Sequence, residues 1–315
     1  METRFDAVLL RKEDLLAIEN VLYEAKKEEL VARQFLNVNT NFPPYAMEIG
    51  YDWFDVAGSA KILAAGASAK DVPFVGEKGG RETMKVYSIV TGIRYTRAER
   101  MAAQARNALG KGPQISLDTT RVATARRFVA EMENKLAFIG DTSHNIKGIL
   151  NHPGITAEDV AASGTGATDA AKRLWANKTP KLILKDLLAG KRKVEQGNIF
   201  KARVLILDSD HYNALLEPYS DYSPMTVLSW LQKEGAYFEK IVVTNSIAST
   251  VNGLNVGCFV ILDNAPEIVE LAVPMDLTLG EPVYDLLGTS EQVVEERTAG
   301  CIIRHPAAIY VGKGI

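Results

Sequence analysis

The stretch from Tyr51 to Tyr95 constrains this chain more than any other. It opens with a strand-like run, Tyr51-Asp-Trp-Phe-Asp-Val56. It closes with another, Thr83-Met-Lys-Val-Tyr-Ser-Ile-Val-Thr-Gly-Ile-Arg-Tyr95, rich in β-branched and aromatic residues. Between them lie Ala57-Gly-Ser-Ala-Lys-Ile-Leu-Ala-Ala-Gly-Ala-Ser-Ala69, Pro73 and the pair Gly79-Gly80. So many small side chains supply too little volume for a separate core. The two runs predict a long β-hairpin with a small-residue tip. A lone two-stranded hairpin is marginal in water, so this one needs a surface to lie on, and another copy of the chain is the obvious provider.

The flanking segments read as follows. Leu15, Ile18, Leu22 and Ala25 recur at helical spacing, with Lys26, Lys27, Glu28 and Glu29 on the other face. That stripe is thin, as expected of a helix lying on a surface or a neighbour. Asn37-Val-Asn-Thr-Asn-Phe-Pro-Pro-Tyr45 is an extended connector. Thr96 to Leu109 reads as a helix ended by Gly110.

Ser116 or Asp118 then caps the best helix in the chain, Leu117 to Phe138. Val122, Ala125, Val129, Met132, Leu136 and Ile139 step by three and four to form its apolar side, and Arg127, Glu131 and Lys135 line the outer one. Its length is roughly 33 Å at 1.5 Å per residue, enough to cross a domain. Gly140-Asp-Thr-Ser-His-Asn-Ile-Lys-Gly148 stops it, and residues 156–178, rich in Ala, Gly and Thr, read as a loop.

The second half alternates strands and helices. Thr179-Pro180 begins a helix running to about Leu188. Further helices are expected at Asp208 to Leu216 and Met225 to Lys233. Strands are expected at Arg203–Leu207, Lys240–Thr244, Cys258–Leu262, Ile268–Val273, Gln292–Arg297, Cys301–Arg304 and Ala308–Val311. The pattern is α+β, with helices packed on sheet faces, and it contains no internal repeat.

No residue pattern in the chain anchors a chemical site. With 315 residues, 47% of them apolar, the chain can bury a core without metal or disulfide staples. The net charge of -3 does not mark a dedicated nucleic-acid binder. Cys258 and Cys301 lie in apolar runs and read as buried small hydrophobes, which suits a reducing cytoplasm. Met1–Asp6 is not a signal peptide, and no apolar run approaches the ~18 residues of a membrane span.

Gly110-Lys-Gly112 lacks the rest of a phosphate loop, and Ser163-Gly-Thr-Gly166 does not follow a buried strand. No G-x-S-x-G occurs, and His144, His152, His211 and His305 show no ligand spacing. Asp208, Asp210 and His211 follow a buried strand and present metal-binding side chains, but Asp208 or Ser209 also suits an N-cap and Asp210 a first-turn acid. Capping is the expected role. No catalytic, cofactor-binding or metal residue is assigned, and no cofactor is expected.

The order of these parts resembles the tailed-bacteriophage major capsid proteins of the Hong Kong 97-type fold. The most telling stretch is Arg121 to Gly154, where Glu131-Met-Glu-Asn-Lys-Leu-Ala-Phe-Ile-Gly-Asp141 passes into Gly148-Ile-Leu-Asn-His-Pro-Gly154. That looks like the family's junction after its spine helix. Thr179-Pro180 with Leu182-Ile-Leu184, Val204-Leu-Ile-Leu207 with His211-Tyr212, and Val227-Leu-Ser-Trp-Leu231 look like its axial domain, and Gly300 to Ala307 with Tyr310-Val-Gly312 like its closing strands.

The resemblance runs from about residue 40 onward. It implies an N-terminal arm at 1–50 and an extended hairpin loop at 51–95. A peripheral domain would take 96–178 and 271–315, with a spine helix at 117–138, and a mixed α/β axial domain would take 179–270. The implied role is a shell subunit, not an enzyme, that assembles with itself as hexamers and pentamers around double-stranded DNA. The virion is then its location and the host cytoplasm its place of assembly.

Fifty residues precede the hairpin, fewer than in relatives carrying a cleaved scaffolding region, so scaffolding is expected as a separate protein, with Met1 against processing. A portal and decoration proteins are further implied partners, and no membrane is. Lys78 and Lys85 lie in the hairpin, but no cross-link is predicted for them. A near-neutral lining lets packed DNA slide past, so retention of DNA by purified shells would count against this reading. An encapsulin-type nanocompartment shell is the nearest alternative, and a metal-dependent hydrolase using Asp208, Asp210 and His211 a remote one.

Overall fold

The computed structural model describes residues 28–62, 72–108, 117–220, 222–234 and 237–315. The expected helix around Leu15–Ala25, the tip residues 63–69, the turn at Gly110 and the Ser116 cap lie outside them. The chain falls into two compact units. The larger comprises Leu30–Ile89, Glu131–Asp276 and Glu296–Ile315, and the smaller includes Val90–Ala130 and Leu277–Glu295.

The larger unit is built on a five-stranded mixed sheet. Its spatial order is Thr156–Asp159, Ile309–Lys313, Cys258–Leu262, Val204–Leu207 and Lys240–Val243. Alternate side chains of a strand face opposite ways, and here both faces are covered. Val204, Ile206, Val260, Leu262, Ile309 and Val311 share one core with Phe35, Phe138 and Ile149. Leu205, Leu207, Phe259, Ile261 and Tyr310 share the other with Ile183, Leu187, Leu215 and Leu231. Burial on two faces explains why these strands read as unbroken apolar runs rather than alternating ones.

A three-stranded sheet, ordered Asn37–Asn39, Val269–Ala272, Gly300–Ile303, lies in the same unit. The expected connector at 37–45 therefore begins with a strand, Asn37 to Asn39 pairing parallel to Glu270 to Ala272. Its polar side chains hid the pairing because backbone groups make it.

The helix Leu117–Phe138 has the expected bounds. Ala125, Val129 and Leu136 are buried as expected, but Met132 is exposed and Glu133 and Asn134 are buried instead. Those two polar residues hold the segment before the first sheet: Asn134 Oδ1 accepts from the Val31 and Ala32 amides at 3.3 and 3.0 Å, and Glu133 binds Arg33. Gly140 then ends the helix with φ +69°, closed by the Asp141–Ile146 bridge.

Residues 156–178 are not a plain loop. Thr156–Asp159 is an edge strand pairing with Tyr310–Lys313, with its side chains exposed, which is why it looked too polar for a strand. Asp169–Arg173 is a short helix capped by Thr168, whose side chain accepts from the Ala171 amide. The helix at Pro180 continues to Val194 rather than Leu188. Gly190 does not stop it: a Cβ there would sit 2.9 Å from Ile261 and Tyr310, so glycine lets the helix press on the sheet. Met225 and Thr226 belong to a small hairpin strand, Ser223–Thr226, and the helical turn starts only at Val227 because the Thr226 hydroxyl caps the Ser229 amide.

Candidate assembly surface

The predicted hairpin is present with a different second strand. Glu48–Ala57 pairs antiparallel with Gly76–Lys85, from Glu48↔Lys85 to Ala57↔Gly76. The chain breaks at Val86, whose amide donates to the Met47 carbonyl. Tyr87–Tyr95 then pairs with Ser290–Thr298. Gly79 and Gly80 looked like a break ahead of the strand. They lie inside it, opposite Phe54 and Trp53, and a Cβ on Gly80 would come within 3.0 Å of the Trp53 ring. Glycines across from aromatics are a way to fit large rings on a narrow ribbon.

Register is set by cross-strand chemistry. Asp52 faces Arg81, Asp55 faces Lys78 and Glu48 faces Lys85, each pair opposite in charge. Arg81 donates to both Asp52 oxygens at 2.6 and 2.8 Å, and this holds the Asp52 carboxyl below its ordinary range. Tyr51 donates to Glu82 at 2.6 Å, and burial together with that carboxylate raises its hydroxyl pKa.

Among the described residues the ribbon is anchored at its base. Ile49, 3% exposed, packs with Ala272, Ala299 and Ile302, with Tyr51 and Met84 beside it. Beyond Tyr51 the ribbon carries large apolar side chains in the open. Phe54 is 80% and Phe74 85% exposed, and Trp53, Val56, Ile62 and Val75 join them. A monomer gains nothing by displaying such a strip. Both ribbon edges also leave backbone groups without a third strand among the described residues, a template for pairing with another chain.

The smaller unit carries a second exposed apolar feature that sequence reading missed. Val283 and Tyr284, on a two-residue strand paired with Ser290–Thr298, and Leu286 and Leu287, in the turn between them, are exposed. The Arg100 guanidinium lies 5.6 Å from the Tyr284 ring centre and donates to the Gly288 carbonyl. Adjacent leucines before a glycine were the available signal.

Asp208, Asp210 and His211 lie at the start of one short helix. Asp208 caps the helix Ser209–Ala214, accepting from the His211 amide at 3.0 Å, and the His211 ring turns back onto the same carboxylate. Asp210 sits in the first turn. Asp141, Ser143 and His144 also meet, but Ser143 Oγ and Asp141 Oδ2 both address the same Nδ1, at 3.0 and 2.6 Å, so the group closes a turn. Among the described residues no cluster of His, Cys, Asp and Glu is arranged to hold a metal ion, and no helix is long and apolar enough to cross a membrane. Cys258 and Cys301 are free and buried.

A family model described as major capsid protein matches residues 58–315. The chain belongs to the major capsid protein family. As a member it is a structural shell subunit with a Hong Kong 97-type α+β fold. Its fold is similar to the capsid protein of Myoviridae phage XM1, at 13% identity and TM-score 0.80, over 98% of this chain and 100% of that one. It is similar to the capsid of a GTA particle, at 13% identity and TM-score 0.64, over 98% of each. It is also similar to a virus-like particle from Pyrococcus furiosus, at 18% identity and TM-score 0.56, over 89% of this chain and 91% of that one. No curated protein matches its sequence. For a capsid protein, the exposed ribbon is the expected kind of functional site: a contact surface rather than a cleft.

Proposed function

We propose that this capsid protein is the repeating tile of an icosahedral phage head, set in hexamers and pentamers around double-stranded DNA, and that its hairpin lies across a neighbouring copy. The observation that carries the proposal is the ribbon itself, anchored at Ile49 and exposed at Trp53, Phe54, Val56, Ile62, Phe74 and Val75. A neighbour's surface covers its apolar face. Many such contacts, each weak, become strong in a closed lattice.

On this reading residues 1–50 form an arm, 96–178 and 271–315 a peripheral domain, and 179–270 the axial domain at the symmetry axes. Scaffolding, portal and decoration proteins are separate chains, DNA is a neighbour without specific contacts, and no catalysis is involved. The head is built in the host cytoplasm and ends in the virion. The TM-score of 0.80 to the phage XM1 capsid, against 0.56 to the Pyrococcus virus-like particle, supports the phage-head reading.

The test is to express the full chain, with and without a scaffolding gene, and examine it by size-exclusion chromatography and negative-stain microscopy. Closed shells are expected. A stable monomer under both conditions contradicts the proposal.

A further inference from the structure

The helix Pro180–Val194 carries five cations, Lys181, Lys185, Lys191, Arg192 and Lys193, in a chain whose net charge is -3. Its one acid, Asp186, is buried against Lys178. The net charge implies an even, near-neutral surface, but the fold gathers positive charge on this one helix. Ile183, Leu184, Leu187 and Val194 face the sheet and are buried. On the outward side Lys181, Lys185 and Arg192 are exposed. At 3.6 residues per turn and 1.5 Å per residue they fall within a roughly 40° arc and make a row roughly 16 Å long.

A row of lysines usually marks no more than a solvated helix face. Pairing separates these three residues from the other cations of the helix. Lys191 pairs with Glu195 and Lys193 with Glu158. Lys181, Lys185 and Arg192 form no ion pair among the described residues. The helix dipole favours Arg192, in the last turn, but disfavours Lys181, which stands in a first turn without an acid. The exposed position between Lys185 and Arg192 in the row is Ala189. The row therefore offers charge without an apolar anchor. A protein partner needs such an anchor at the centre of its contact. A phosphate backbone needs only cations.

We propose that Lys181, Lys185 and Arg192 form a phosphate-contacting stripe that faces the shell interior and rests against the backbone of the packaged duplex. The inference rests on the phage-head reading and adds a direction to it: the helix-covered side of the five-stranded sheet faces inward. Duplex DNA carries one charge per ~1.7 Å of its axis, so the row spans several phosphates. Contact of this kind is blind to sequence. Three cations per copy release few counterions, and log affinity against log salt is expected to fall with a slope of about -2.7. Each copy's hold at physiological salt is therefore loose enough for the duplex to shift.

Fluorescence anisotropy of a short labelled duplex, titrated with the unassembled fraction of the full-length chain, tests the charge. Between about 20 and about 80 mM salt, wild-type affinity is expected to drop roughly 40-fold. K181Q/K185Q/R192Q is expected to bind at least ~10-fold more weakly at the lower salt and to lose most of the salt dependence. K181R/K185R keeps the charge and is expected to bind like the wild type. The three side chains are exposed, so the triple variant should melt like the wild type. A triple variant that binds as tightly and as steeply as the wild type overturns the proposal. The inward direction has its own test. Lys185→Cys gives the chain one accessible thiol, because Cys258 and Cys301 are buried. A maleimide on a polymer too large to enter a shell is expected to label that thiol in the unassembled chain and to miss it in closed shells. Equal labelling in closed shells overturns the inference and leaves the phage-head reading intact. The anisotropy needs no shells, so it decides the stripe even where that reading fails.

Discussion

Trp53 lies directly across the hairpin from Gly80, and a Cβ built on Gly80 would stand 3.0 Å from its indole ring. Gly80→Val therefore forces the ring off the strand. The ribbon contributes little to the core beyond Ile49, so the melting temperature of the unassembled chain should stay within about 2 °C of wild type, as for surface substitutions elsewhere. Shell yield by sedimentation should fall, because the apolar strip loses its shape. An unchanged yield would show that the strip is not a contact.

Lys178 and Asp186 form a buried ion pair at 2.5 Å, with 0% and 4% of their side chains exposed. Burial pushes the Asp186 carboxyl up and Lys178 pulls it back. Asp186→Ala leaves the ammonium buried alone and should cost about 3–5 kcal/mol by denaturant unfolding. The double change Lys178→Met with Asp186→Leu should recover most of that loss.

The turn after the long helix rests on two glycines. At Gly140, φ is +69° and a Cβ would meet the Ile146 carbonyl oxygen at 2.4 Å. At Gly148 a Cβ would meet the Gly140 amide at 2.5 Å. Either glycine changed to alanine should destabilise the chain by about 2–4 kcal/mol, combining strain with a backbone clash. Thermal unfolding checks it.

Burial raises the thiols of Cys258 to about 11 and Cys301 to about 12. A thiolate is the reactive form, so neither should react with a disulfide reagent near pH 8 while the chain is folded. Both should titrate after denaturation. Rapid labelling of the native chain would contradict the packing.

Elements that bury one clear face, or two, were legible from the sequence. The helix Leu117–Phe138 and the strands Val204–Leu207 and Cys258–Leu262 carry their own apolar pattern. Asn37–Asn39 and Thr156–Asp159 did not, because they pair through backbone while showing polar side chains. The helix at Pro180 runs past Leu188 to Val194, and Gly190 lets its backbone approach Ile261 and Tyr310.

The contact surface was half legible. The small-residue run after Val56 pointed to an arm, but the strand partner was misplaced because Gly79 and Gly80 look like a break unless Trp53 and Phe54 are known to lie opposite. Glu133 could have been suspected, since it falls between Val129 and Leu136 on the buried stripe of the helix. Arg33 and Glu296 lie 263 residues apart, and no local pattern joins them.

Replacing Trp53–Gly80 with Asn-Gly closes the hairpin on the opposed pair Asp52 and Arg81 and keeps Ile49 and Tyr51 in place. Negative-stain microscopy of this variant beside the wild type measures directly whether the ribbon builds the lattice. The variant should melt like the unassembled wild type and form no closed particles. Intact shells of wild-type size from the shortened chain would contradict the account.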